Sequence, residues 1–422
     1  MNVEKVFTPN DTPTITYVDR AEHQLQQTLS DYYKIPNVIV SVSGPSKSGK
    51  TVLIKKVVNE ESLITISGSG IESGDNIWDR VLNWMGAPSE TTSSTTKGFE
   101  VGGEVEGSGG IKLPFIADFE AKAQLSGTHS REKETGKTFG RSGLEQVARE
   151  IAGSDYVVFI DDFHYIRPEI QEEVGKQLKS AAERGIKIFT ASVPHRSDDV
   201  VRSNPELRGR VAALDIGYWS QNELALISRR GFHELNIDLS PEIERTFATE
   251  AAGSPQLMQS ICLNLCYSLN IRSKLDKHER FDVSPGVQSE TLRRTSAFTN
   301  FAKMLSALHQ GAKTRGTERK IHSLIDGTNG DVYRAILLGL KQNPTGLAFT
   351  YDNILDRVRA VCTVDAPVGS SINSALEQMA IIANEIQPAA SPLSWQEDVL
   401  DIADPYLLFY LRCSNKLQEL GA

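Results

Sequence analysis

The octapeptide Gly44-Pro45-Ser46-Lys47-Ser48-Gly49-Lys50-Thr51 decides how the rest of the chain is read. It fits G-x-x-x-x-G-K-[ST], a pattern whose backbone amides curl around the phosphates of a nucleoside triphosphate. The glycines let successive N–H groups point inward. Lys50 is expected to reach the β and γ phosphates, and the Thr51 hydroxyl to ligate Mg²⁺. The residues on either side supply the right context. Val38–Ser43 is short, β-branched and apolar, as a buried parallel strand should be, and Val52–Val58 can continue as a helix.

Working outward, Leu63–Ile66 reads as a second strand and Asp75–Met85 as a packed helix. A helix at Gly143–Ile151 precedes Tyr156-Val157-Val158-Phe159-Ile160-Asp161-Asp162, an apolar strand ending in paired carboxylates. Such a strand tip delivers Asp161 toward Mg²⁺ and Asp162 toward an attacking water. After a helix from Pro168 to Arg184 comes the strand Ile186–Ser192. Its polar end, with Ser192 and the nearby His195-Arg196, lies where a γ-phosphate sensor would stand. A fifth strand follows at Val211–Ile216. Alternating strands and helices imply an α/β parallel sheet with both faces covered.

Residues 87–140 differ in composition, being rich in Gly, Ser, Thr and charge. Phe99, Val101 and Val105 alternate with Glu100, Glu104 and Glu106, and Phe119–Leu125 alternates in the same way. This pattern gives a β-hairpin insertion over 97–127, with a disordered Gly-rich insert as the competing reading. Farther on, residues 286–320 carry Arg293, Arg294, Lys303, Lys313, Arg315, Arg319 and Lys320 against only Glu290 and Glu318. They form either a solvated helical face or a contact for a nucleic-acid backbone. Three helical segments (331–341, 351–361, 371–385) and the strands Leu393-Ser394-Trp395 and Val399–Ile402 make a winged-helix pattern. The helix that would read DNA, Ser371–Met379, holds no Arg or Lys, which favours packing against the ATPase or a partner protein.

Together these segments resemble the additional-strand P-loop ATPases, and within them the AAA+ and STAND groups, including the origin-recognition type and the archaeal-type prokaryotic STAND ATPases. The resemblance covers roughly residues 17–270. It returns at Asp404-Pro405-Tyr406-Leu407-Leu408-Phe409-Tyr410-Leu411-Arg412, which is similar to the D-P-x-L-x-F-Y-x-R ending of the archaeal-type group. It implies an ATPase core over 1–216, a helical lid over 217–285, and a basic segment with a winged-helix-like domain over 286–422. It further implies that Tyr17-Val18-Asp19-Arg20 lies against the adenine and that Gly253-Ser254-Pro255 opens a nucleotide-facing lid helix. Arg208 or Arg210 would be an arginine finger completing a neighbouring subunit's site. The sensor-2 arginine expected near Gln256 is replaced by an amide, and the second acid is Asp162 rather than Glu. Both departures point to slow turnover and a switch rather than a motor.

The 422 residues carry a net charge of −9, which gives no global argument for nucleic acid or membrane. Met1–Lys5 lacks the regions of a signal peptide, and no stretch is long enough to cross a bilayer, so a cytoplasmic protein is expected. Cys262 and Cys266, four apart on an apolar helix face, read as small buried hydrophobes. No N-K-x-D guanine motif is present, which favours ATP. The leading expectation is an ATP- and Mg²⁺-binding regulatory ATPase that assembles as a homo-oligomer or activates a partner protein. By resemblance, its setting is a prokaryotic signalling or antiviral defence complex. The alternatives are a DNA-associated ATPase using 286–320, and a scaffold or pore using the 97–127 hairpin.

Overall fold

The computed structural model describes residues 1–86, 143–193, 207–313, 318–343, 345–388 and 392–421. The 87–140 insertion, with the hairpin expected in it, His195-Arg196 and Arg315 lie outside the described residues. Five strands form the central sheet: β1 (Ile39–Ser43), β2 (Leu63–Ser67), β3 (Val157–Asp161), β4 (Lys187–Ser192) and β5 (Val211–Asp215). Their order is β2-β3-β4-β1-β5, and every pairing is parallel. Strand β4 therefore lies between the strand that leads into the glycine loop and the strand that ends in paired acids. That is the additional strand expected from the sequence.

Two-residue periodicity explains how the sheet is covered. Ile64, Ile66, Val158, Ile160 and Ile188 bury one face against Trp78, Val81, Val147, Val174 and Leu178. These partners come from the helices Gly74–Trp84, Gly143–Ile151 and Pro168–Glu183. Val40, Val42, Val157, Phe159 and Phe189 bury the other face with Leu29, Leu53 and Ile54, from the helices Leu25–Lys34 and Lys50–Val57. With both faces covered, the strands read as continuous apolar runs, and the functional groups are confined to strand ends and loops.

Beyond β5 the chain turns at Gly217–Ser220 into the helix Gln221–Glu234. Ser220 and Glu223 form a reciprocal capping box at its start. The helices Pro241–Glu250 and Pro255–Ser268 complete this helical group. Its core also takes in Val3, Val6, Phe7 and Val18, so the first eighteen residues pack with the helices at 224–271 rather than against the sheet. The N-terminus forms a short helix there, Val3–Val6, anchored by two buried valines. Cys262 and Cys266 are fully buried in the same core, and burial pushes the Cys266 thiol up to about 12.

The C-terminal residues form a separate apolar core around Leu305, Ile336, Val358, Leu376 and Leu400. It contains the helices Val332–Lys341, Tyr351–Val361 and Gly369–Ile386 and an antiparallel sheet of Ala348–Thr350, Val399–Ile402 and Leu393–Gln396. The closing helix, Pro405–Cys413, joins this core to the helical group that follows β5. Leu407, Leu408 and Leu411 enter the C-terminal core, while Phe409 enters the core of the lid helices. Arg412 then makes a forked ion pair with Glu250, at the end of the helix Pro241–Glu250, at 2.7 and 3.0 Å.

Candidate functional site

Strand register brings the polar groups to one end of the sheet. Ser43, the last residue of β1, lies beside Ser192 of β4 and Asp215 of β5. The Gly44 N–H donates to the Ser192 carbonyl at 3.2 Å, and the Ile216 N–H donates to the Ser43 carbonyl at 2.7 Å. A Cβ on Gly44 would stand 2.7 Å from the Ile216 oxygen, so only glycine fits this crossing. Gly49, with φ of +95°, turns the chain from the loop into the helix Lys50–Val57. The first N–H groups of that helix consequently face the loop, as an anion site requires.

Lys50 is 8 % exposed, and its ammonium donates to the carbonyls of Gly44 and Pro45, both at 2.9 Å. Desolvation pulls its pKa from 10.5 down to about 8, although the charges of Asp161 and Asp162 act in the opposite direction. The nearby negative charge does not fully compensate this cation, and phosphate oxygens would supply the deficit. Across the loop, the Thr51 hydroxyl donates to the Asp161 carboxylate at 2.8 Å. The 110 residues between them make this a strictly tertiary contact. A hydroxyl and a carboxylate oxygen at this separation are hard donors suited to Mg²⁺, which the loop pattern implies.

Asp162 follows with φ of +54°, an uncommon conformation for a residue other than glycine. Its N–H donates to Asp161 at 2.9 Å. Burial raises the Asp162 pKa, the Asp161 charge raises it further, and Lys50 and Lys47 oppose them. Ser192 is 3 % exposed at the tip of β4. Its hydroxyl, like that of Ser48 in the loop, is buried without a hydrogen-bond partner. Buried polar atoms left unpaired are uncommon in folded chains, and two of them around a glycine loop suit a polar ligand. Ser46 and Lys47, between these groups, complete the loop.

A cavity opens beside the loop, lined by Tyr17, Val18, Ile216, Trp219, Ile227 and Pro255 among others. Its lining is largely apolar, as a small-molecule cavity usually is. Val18 and Pro255, which the resemblance placed near the adenine, both line this cavity. The Arg20 guanidinium, in contrast, is engaged within the chain. It donates to Glu223 at 2.7 Å and to the carbonyls of Gly217 and Tyr218, and lies 5.1 Å from the centroid of Trp219. Arg20 thus lines the cavity while its guanidinium ties down the turn into the helix Gln221–Glu234. Trp219 was not singled out from the sequence. Its indole N–H donates to the Ser48 carbonyl at 2.8 Å, linking the loop directly to the turn into the helix Gln221–Glu234. An aromatic residue just after the fifth strand was the available signal.

Arg208 and Arg210 stand at the opposite end of the sheet. The Arg210 carbonyl accepts from the N–H of Ile39, the first residue of β1, roughly 15 Å along the strand from the loop. Neither arginine can serve this chain's own phosphate site. Arg208 is exposed, and Arg210 is paired with Glu183. Much of the basic 286–320 stretch is engaged internally. Arg293 pairs with Glu290, Arg294 donates to Asn264, Arg319 pairs with Asp331, and Lys320 pairs with Asp365. Lys303 and Lys313 remain exposed. Among the described residues, no helix is long and apolar enough to cross a membrane.

No protein-family model matches the chain, and no curated protein matches it. Among solved structures it is similar to the Walker-type ATPase of Pyrococcus abyssi, with 14% identity over 97% of this chain and 99% of that one and a TM-score of 0.51. It also matches the Aeropyrum pernix ORC2 protein (12% identity, 99% and 97% covered, TM-score 0.49). A third match is Cdc6p of Pyrobaculum aerophilum (14% identity, 99% and 99% covered, TM-score 0.41). The strand order, the glycine loop after β1 and the paired acids after β3 give this chain the fold of a Walker-type P-loop ATPase.

Proposed function

We propose that this chain binds ATP with Mg²⁺ on the Gly44–Thr51 loop, hydrolyses it slowly, and uses the nucleotide state to control assembly or a partner protein. The observation that carries this reading is the Thr51–Asp161 contact at 2.8 Å beside a buried, under-compensated Lys50. Two separate segments of chain thereby converge on one metal-and-phosphate geometry. In this account the loop amides and Lys50 hold the phosphates, and Thr51 and Asp161 hold the metal. Mg²⁺, when bound, neutralises charge on the transferred phosphoryl group. Asp162 accepts a hydrogen bond from the attacking water, and Ser192 donates one to the γ-phosphate. Val18, Pro255 and Trp219 enclose the base.

Slow turnover is supported by the absence of a lid cation at Gln256. Its amide donates instead to Asn10 at 3.1 Å. A winged-helix-like role for the C-terminal helices and sheet is part of the proposal, as is a setting in a prokaryotic signalling or defence complex. DNA association has less support, because four of the basic residues in 286–320 already have partners in the chain.

A homo-oligomer is supported by the position of Arg208 and Arg210, which can complete only a neighbour's site. The expected result is that specific ATPase activity rises with protein concentration in the wild type. In Arg208→Ala and Arg210→Ala it should stay flat and fall, in whichever variant removes the finger, by about 10³-fold. Phosphate release across a dilution series measures this. Activity independent of concentration, and unchanged in both variants, would eliminate the trans arginine.

A further inference from the structure

Lys47 occupies the middle of the loop with φ of +61°, a conformation that glycine adopts freely and a lysine does not. Its ammonium lies 4.9 Å from the ring centroid of Tyr406, in the closing helix Pro405–Cys413. The loop and the C-terminal segment are therefore in direct contact, across more than three hundred residues of sequence. Beside that ring, Asp404 caps the helix by accepting from the Tyr406 N–H at 2.9 Å. Burial raises the Asp404 pKa, whereas the Tyr406 N–H and the Lys47 charge hold it down. The Lys47 charge acts in the same sense on Asp162. One ammonium thus serves both the acid that faces the attacking water and the acid that caps the closing helix. A second cavity, adjoining the nucleobase cavity, is lined by Lys47, Gln256, Ser260, Asp404 and Tyr406. Lys47 and Gln256 line both cavities, and Gln256 provides no charge.

On the reading of the loop as an ATP site, we infer that Lys47 is the cation that distinguishes ATP from ADP, and that Tyr406 with Asp404 is its seat when no γ-phosphate is present. A charge-assisted bond to a phosphate oxygen is stronger than a cation–π contact at a partly exposed ring. The γ-phosphate therefore draws Lys47 off Tyr406. Asp404 is then left half-buried without its counter-charge and close to a triphosphate, which weakens the seating of Pro405–Cys413 on the helices it packs against. The closing helix consequently reads the γ-phosphate directly, through a side chain of the loop itself. ADP leaves Lys47 on its seat and the helix in place.

The test measures ATP and ADP affinities of the full chain by competition against a fluorescent ADP analogue, for wild type, Lys47→Met and Lys47→Arg. The expected result is a loss of ATP affinity of about tenfold in Lys47→Met, with ADP affinity held within about twofold. Lys47→Arg, which keeps the charge, should retain the wild-type ratio. Amide hydrogen exchange over 404–413 supplies the second readout. ATP should speed exchange there in wild type but not in Lys47→Met, and ADP should not. Equal loss of both nucleotides in Lys47→Met, or no loss of either, would overturn the role of Lys47 while leaving the ATP site standing. Wild type that binds neither nucleotide would overturn the ATP site itself, and this inference with it.

Discussion

Replacing Lys50 with Met is expected to weaken ATP binding by at least about 100-fold, or roughly 2.7 kcal/mol. Two effects combine. The variant loses its charged bonds to the β and γ phosphates, and the wild type gains more from them because its lysine is poorly compensated beforehand. Methionine nearly conserves volume, so the loop keeps its packing and the loss is electrostatic. The same residue predicts a pH dependence of the nucleotide-free protein. Its pKa is about 8 in the folded chain and 10.5 when unperturbed. Between these values the unfolded chain binds the extra proton, so stability rises with pH across that window. Below about pH 8 the folded chain bears the whole desolvation cost, on the order of 3 kcal/mol at most. Denaturant titrations from pH 7 to 10 should therefore show wild type gaining stability relative to Lys50→Met. A constant difference would show that Lys50 is not strained by its burial.

Asp162→Asn is expected to lower the rate of ATP cleavage by about 10²-fold while changing ATP affinity by less than about threefold. The amide keeps the size and can still accept a hydrogen bond, but it cannot take up the proton of the attacking water. Burial, and then the adjacent Asp161 charge, raise the Asp162 pKa, so its charged form is lost at a higher pH than for an ordinary aspartate. Single-turnover cleavage in wild type should accordingly fall as the pH drops toward that raised pKa, and the acid limb should be absent from Asp162→Asn. Asp162→Glu places the carboxylate one methylene nearer the water and should accelerate cleavage. An unchanged rate in Asp162→Asn would remove the residue from the chemistry. Wild-type turnover as fast as a motor, collapsing in Asp162→Asn, would contradict the switch while keeping the base.

The site was legible in the sequence where its chemistry depends on local pattern. The glycine loop, the apolar run ending in Asp161-Asp162 and the polar end of β4 each show their character within a few residues. The sheet then needs only parallel register to bring Ser43, Ser192 and Thr51–Asp161 to one end. What local pattern does not encode is partner choice across the chain. Nothing nearby in sequence shows that Glu223 lies 2.7 Å from Arg20. The closing D-P-x-L-x-F-Y-x-R stretch was visible as a motif, yet its seat against Lys47 depends on how the lid and the C-terminal core pack. The N-terminal Val3, Val6 and Phe7 show the same limit. Three apolar residues suggest burial, but not that the lid buries them.

The central claim is that ATP on the Gly44–Thr51 loop controls assembly. Mass photometry of the full chain tests it most directly, with ATP, ADP or no nucleotide, for wild type and Lys50→Met. A shift to multiples of the chain mass with ATP alone, absent from Lys50→Met, is the predicted result. Identical mass distributions in all three conditions, under ATP concentrations at which binding is measured independently, would contradict it.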